Sequence, residues 1–278
     1  LGVPIGVYSA VRRGSVLAQV SRLKRAITIS GTHGKTTTSS MVGWILNKAG
    51  FHPTVIVGGQ IRNIDANAFL GKGNFFVLET DESDGSFLET APWIAVVTNV
   101  DNDHLEQYGS MAKLEAAFRQ HLSQVPFYGW AVLCQDDPVL SKRIIGAIKT
   151  PMKTYGLAHP LHGSRAGLAG RPDCRGVNLA KQRLGYSFNI EWEGKKVASV
   201  NLKVPGTHNV LNALAAAVAS HLAGASWGDI ARALGQYKGI RRRLEALGQH
   251  GGIFFLDDYG HHPTEIAVTL KAAREFYA

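Results

Sequence analysis

Eight consecutive residues carry the strongest chemical signal in this 278-residue chain: Gly31-Thr32-His33-Gly34-Lys35-Thr36-Thr37-Thr38. They follow an apolar, β-branched stretch at 26–30 that reads as a buried strand, and they open a helical pattern ending near 49, just before Gly50. Glycines let a backbone wrap closely around phosphate oxygens with its amides turned inward. The N-terminus of the following helix adds partial positive charge. Lys35 can reach β- and γ-phosphates, and the Thr36 hydroxyl suits Mg²⁺. An ordinary Gly-rich turn is the competing explanation, and the strand–Gly-Lys-Thr–helix context argues against it. The strict phosphate-loop pattern would place a further glycine where this chain has Ile29.

Five more stretches hold residues of the right types. The run 74–84 is an apolar strand ending in Glu79, Asp81, Glu82 and Asp84, and carboxylates at such a strand end suit Mg²⁺. Standing alone, the acidic cluster would read as solvated surface; beside a phosphate loop, Glu79 reads as a metal ligand. The run 98–105 places Asp101, Asp103 and His104 just past another apolar strand, at the same sheet edge. His104 there suits a metal or a substrate better than a merely structural role. At 204–213, His208, Asn209 and Asn212 sit at a helix start, which Thr207 or Asn209 could cap and which is equally compatible with ligand contact. At 238–245, Arg241, Arg242 and Arg243 form a basic loop that would otherwise be solvated. At 257–265, Asp258, His261 and His262 follow a strand; His pairs beside carboxylates can bind metal, although a His-His-Pro turn need not.

The elements that must position these groups alternate. Buried-strand patterns at 26–30, 54–57, 75–79, 93–98, 130–134 and 153–157 are separated by helical patterns, including 111–122 and 139–148, which predicts a parallel α/β sheet flanked by helices. After about residue 163 the period changes to two. The stretch 175–204, with a turn at Glu193-Gly194, predicts a small antiparallel accessory sheet. Helices at 209–223 and 227–234 follow. A strand at 253–256 and a helix at 264–276 look like the start of a second α/β unit. With no complete sheet to join, that strand is expected to be loosely held or paired with another chain.

The composition is that of a globular protein, 45% hydrophobic and 18% charged. No apolar run is long enough for a bilayer, and the first residues lack the order of a secretory signal, so a cytoplasmic location and no membrane partner are expected. Cys134 and Cys174 form no CxxC or Cys/His group, which argues against a disulfide scaffold or a zinc finger. The net charge of +9 suits multiply charged phosphates. It comes with no nucleic-acid-binding signature, so no nucleic-acid partner is expected.

The six stretches, in this order, closely resemble the Mur ligases, whose shortened phosphate loop reads GTxGK[ST]T. ESDGSF at 82–87, TNVDNDH at 98–104, PFYGWAVLCQDDP at 126–138 and DDYGHHPTE at 257–265 are most similar to the family's L-alanine-adding branch. The resemblance implies ATP and Mg²⁺ as cofactors, and UDP-N-acetylmuramate and L-alanine as substrates joined through an acyl phosphate. It implies that residues 31–37 and Arg241 or Arg242 hold phosphate, that Thr36, Glu79 and His104 hold metal, and that Lys35, Glu79 and His104 form the catalytic set. His208, Asn209 and Asn212 would lie near the adenine, and Asp258 would face the nucleotide. It divides the chain into a tail of a UDP-binding domain (1–22), a central ATP-binding domain (23–248) and the start of an amino-acid-binding domain (249–278), a piece expected to be inactive by itself. The alternatives are a relative that attaches an intact peptide to the same UDP-sugar, and a nucleotide-binding module without ligase activity. Oligomeric state is left open.

Overall fold

A computed structural model describes residues 13–103, 105–158 and 170–277. The first half runs α1 (Arg13–Ser21), β1 (Arg25–Ser30), α2 (Lys35–Lys48), β2 (Thr54–Ile61), β3 (Ala66–Phe69), β4 (Phe75–Glu79), β5 (Ile94–Val97), α3 (Leu105–Tyr108), α4 (Met111–Ser123) and β6 (Trp130–Cys134). It continues with β7 (Met152–Leu157), β8 (Cys174–Lys181), β9 (Tyr186–Trp192), β10 (Lys195–Leu202), α5 (Thr207–Leu222), α6 (Trp227–Gln236), β11 (Glu245–His250), β12 (Ile253–Asp257) and α7 (Pro263–Tyr277). Among the described residues no helix is long and apolar enough to cross a membrane.

The main sheet has ten strands in the order β10-β9-β8-β7-β6-β5-β1-β4-β2-β3. Its middle is parallel. In β1 every residue after Arg25 is buried, and β5 is buried throughout. A continuous apolar run of this kind, rather than an alternating one, arises where helices cover both faces. From β1 the chain passes through α2 to β2 on one side; from β4 it crosses to β5 on the other. That reversal beside β1 opens a crevice at the carboxyl ends of the strands, the usual ligand position in such sheets.

Helix α2 is tied to α6 through the Trp44 indole N–H, which donates to the carbonyl of Ala233 at 2.8 Å. Helix α4 lies against β1 through His121, whose Nε2 is 3.4 Å from Thr28 Oγ1. Burial pushes the His121 imidazole down to about 4, so it is a neutral core residue.

The structure departs from the sequence expectations in four places. The stretch expected to be a helix at 139–148 is an irregular π turn (Leu140–Ile144) followed by a 3₁₀ turn (Ile145–Ala147). Asp137 Oδ1 starts it by accepting the amides of Val139 and Leu140, but Gly146 is a poor residue for continuing a helix. Strand β3, Ala-Asn-Ala-Phe, is half exposed and too short to show a period. The antiparallel ribbon forms, and it is continuous with the main sheet because β8 pairs in parallel with β7. Finally, β12 is not an orphan strand. It pairs with β11 in a separate two-stranded sheet, turning through Gly251 and Gly252 with φ of 56° and 80°. That hairpin straddles the expected boundary at 248/249. Its first strand, Glu-Ala-Leu-Gly-Gln-His, carries too little apolar character to be read as one. The texture change expected near 163 falls outside the described residues.

Candidate functional site

The loop between β1 and α2 is held in shape from both sides. Gly31 has φ +117°, and a Cβ there would come within 2.8 Å of the Asn99 carbonyl and 2.4 Å of Thr98 Oγ1. Gly34 has φ +83°, and a Cβ would meet Asn212 Oδ1 at 2.5 Å. Both positions therefore require glycine, for backbone conformation and for close approach. The loop's underside is laced to the segment after β5. The amide of Thr32 donates to the Asn99 carbonyl (3.2 Å) and that of His33 to Asn99 Oδ1 (2.8 Å). In return Thr98 Oγ1 and Asn99 Nδ2 donate to the carbonyl of His33 (2.7 and 2.9 Å), and the Asp101 amide donates to Thr32 Oγ1 (2.9 Å). With those two amides taken, the first turn of α2, whose N–H groups lack intrahelical acceptors, is the part of the loop left to face an anion.

Glu79, at the end of β4, meets the loop directly. Its Oε1 accepts the Thr36 hydroxyl at 2.9 Å, and its Oε2 accepts the Gly58 amide at 2.6 Å. Two of the three expected metal ligands are thus brought together, and a hydroxyl plus a carboxylate is a hard-oxygen set that fits Mg²⁺. The third, His104, lies outside the described residues. Lys35 points to a partner not singled out from the sequence. Its ammonium donates to both oxygens of Glu82 (3.0 and 3.1 Å) and to the Thr32 carbonyl (3.3 Å). Glu82 is 1% exposed, and burial raises its carboxyl against the opposing pull of Lys35.

A cavity of about 650 Å³ lies on one side of the loop, lined among others by His33, Gly34, Thr36, Thr37, His208, Asn209, Asn212 and Asp258. That size and a largely preformed wall suit a nucleotide. A second, of about 220 Å³, lies at Glu79, Gly58 and Asp81. The Thr36–Glu79 contact stands between the two. The asparagines form a chain: Thr38 Oγ1 donates to Asn212 Oδ1 (3.3 Å), Asn212 Nδ2 to Asn209 Oδ1 (3.2 Å), and Asn209 Nδ2 to the Pro205 carbonyl (2.7 Å). Burial pushes the His208 imidazole down to about 4, with Asp258 opposing and Arg243 reinforcing the shift. Asp258 accepts the amides of Leu244 (2.7 Å) and Gly260 (2.8 Å).

The arginines sort differently from the sequence expectation. Arg241 is turned to Asp65 (2.8 Å), and Arg242 lies 3.8 Å from Asp257 and over the Tyr259 ring. Neither lines the large cavity, whereas Arg243 does, 3.7 Å from Glu265. Three consecutive arginines give no sequence signal for which one turns inward. Glu265 and Asp101 stand in stretches the sequence singled out but were given no role there; they flank His33, at 3.4 Å from Nδ1 and 3.0 Å from Nε2.

The profile of the Mur ligase middle domain matches residues 29–220. UDP-N-acetylmuramate–L-alanine ligase of Endomicrobium trichonymphae is 44% identical over 267 residues, 96% of this chain and 57% of that protein. The crystal structure of the UDP-N-acetylmuramate–alanine ligase from Thermotoga maritima superposes with a TM-score of 0.76 at 30% identity, covering 93% of this chain and 56% of that one. The structure of UDP-N-acetylmuramate:L-alanyl-γ-D-glutamyl-meso-diaminopimelate ligase from Neisseria meningitides superposes with a TM-score of 0.71 at 25% identity, covering 87% and 78%. The chain spans little more than half the length of the curated relatives it matches.

Proposed function

The chain belongs to the Mur ligase family, and from that premise we propose that it is the nucleotide-binding part of an ATP-dependent ligase joining L-alanine to the lactyl carboxylate of UDP-N-acetylmuramate. The observation that carries this reading is the pairing of Lys35 with Glu82 and of Thr36 with Glu79 on the two sides of one glycine-bounded loop. A carboxylate resists attack because the nucleophile must add charge to an anion. Transfer of the terminal phosphoryl group of ATP to that carboxylate makes an acyl phosphate, which the amine of alanine then attacks with loss of phosphate.

The protein's share of this work is charge and position. Lys35 neutralises the β- and γ-phosphates, and Glu82 holds its ammonium at the right height beforehand. Thr36 and Glu79, with His104 for a second ion, would hold Mg²⁺, which supplies further charge neutralisation on the phosphoryl oxygens. Asn209 and Asn212 fix the position of α5 against the loop and present polar groups to the base; His208, kept neutral, can accept or donate there. Arg243 suits phosphate better than Arg241 or Arg242, both already engaged at the surface. The central unit is best taken to end before β11, so that β11, β12 and α7 stay together. Dependence on ATP favours a cytoplasmic location.

The test is ADP release by the full-length gene product in the presence of UDP-N-acetylmuramate, with L-alanine or with a tripeptide as acceptor. Release and amide product dependent on L-alanine are expected. Product with the tripeptide alone would assign the peptide-attaching activity instead, and nucleotide binding with neither product would leave a binding module.

A further inference from the structure

We propose that His33, Asp101 and His262 form a binding site for one divalent transition-metal ion of the Zn²⁺ type, apart from the Mg²⁺ position at Thr36 and Glu79. One ligand atom from each of the three lies within 4.8 Å of the others. His33 Nε2 is 3.0 Å from Asp101 Oδ2, and the two imidazole rings have centroids 5.0 Å apart. A tetrahedral ion with bonds of about 2.0–2.1 Å spaces its ligand atoms about 3.4 Å apart. The cluster therefore needs an ångström-scale adjustment of one ring, with no movement of an element.

The argument rests on proton count as well as distance. Glu265 Oε1 faces His33 Nδ1 at 3.4 Å, while Asp101 Oδ2 faces Nε2. A neutral imidazole has one N–H and can satisfy only one of these carboxylates. If Nδ1–H points to Glu265, the lone pair of Nε2 points at an anionic oxygen, and that arrangement calls for a cation between them. A proton is one solution, consistent with the raised affinity of His33 for a proton, where the two carboxylates outweigh burial. A metal ion is the other. Glu265 is then the carboxylate that orients a metal-bound histidine through its second nitrogen. Asp101 is likewise held in place: Thr264 Oγ1 donates to its Oδ2 at 3.1 Å, and the Asn102 amide to its Oδ1 at 2.7 Å.

Two imidazole nitrogens and one carboxylate favour a borderline metal over Mg²⁺, which prefers oxygen. His33, Asp101 and Thr264 all line the large cavity, so a fourth position is open to water or to a phosphate oxygen. The ligands come from three segments: the phosphate loop, the turn after β5 and the turn before α7. The bound ion would fasten the last of these to the first.

The 278-residue chain, freed of metal with a chelator, is titrated with Co²⁺ in excess Mg²⁺. One Co²⁺ per chain is expected, with the intense visible absorption of a four-coordinate ion, displaced by Zn²⁺. His262→Gln and Asp101→Asn should each weaken binding by about tenfold or more, while their metal-free melting curves match the parent. Glu79→Gln should leave the Co²⁺ spectrum unchanged. Zn²⁺ should raise the melting temperature of the parent but not of His262→Gln. No visible band, a band indifferent to both substitutions, or a band abolished by Glu79→Gln would each overturn the site and leave His33 bridged by a proton alone.

Discussion

Lys35 could be recognised from its neighbours in the sequence, but its partner could not. Glu79, Asp81, Glu82 and Asp84 crowd the end of β4, and only the path of the chain after β4 turns Glu82 inward to 1% exposure. Read from sequence, Lys35 serves nucleotide alone; in the structure it also neutralises a buried carboxylate. Lys35→Ala should therefore lower folding stability by about 3–5 kcal/mol, the cost of stranding one member of a buried pair. The double variant Lys35→Ala, Glu82→Gln should recover most of that loss yet still fail to bind ATP. Urea titration and calorimetry separate the two effects, and a fully stable single variant would contradict the pair's structural role. At Glu79 the structure adds two partners that the sequence did not specify, since Thr36 and Gly58 fix both carboxylate oxygens. Glu79→Gln keeps the size and removes the charge, so the Mg²⁺ needed for half-maximal ATP turnover should rise about tenfold or more. An unchanged Mg²⁺ titration would return Glu79 to a purely structural part.

Elements with a strong period were the legible ones. Six of the parallel strands announced themselves as buried, mostly apolar runs, and α2, α4 and α5 by their helical spacing. What was lost had no local signature: β3 is half exposed, and β11 is polar and glycine-bearing. Helix α4 shows how an element can mislead about function, because a histidine on a helix invites a catalytic reading. His121 instead sits unprotonated against Thr28 and the Phe87 ring. Its folded value of about 4 lies below the ordinary 6.5. Above pH 6.5 neither state carries the proton and the stabilisation is complete. As pH falls from 6.5 toward 4 the unfolded chain takes up a proton that the folded chain refuses, and stability drops, by roughly 3 kcal/mol in the limit. His121→Leu should flatten that part of the pH–stability curve, as thermal melts from pH 8 to 4 would reveal; an unaltered slope would locate the dependence elsewhere.

At the scale of the whole molecule, burial is uneven. The ten-stranded sheet holds most of the core, whereas β12 has no buried residue and α7 only Ala272. Helix α7 is held at its far end, where Tyr186 and Lys181 bond to Glu275 and Phe276 packs edge-on against Tyr186. Its near end is held by Glu265 at His33 and Arg243. Sparse apolar contact means low local stability. Hydrogen exchange should therefore release the amides of 245–277 well before those of β1, β4 and β5, and saturating ATP should slow this release. Equal protection in β12 and β1 would refute the inequality. The salt link at Lys35 has a further consequence for which anions the protein admits. An uncommitted ammonium beside a helix N-terminus attracts anions of any kind, chloride and sulfate included. One already matched by a buried carboxylate offers a monovalent anion almost nothing, because separating the pair costs more than a single weak contact returns. A polyphosphate accompanied by its own divalent counterion can make that exchange, so the pair sets a threshold on ligand charge and should keep the loop clear in concentrated salt.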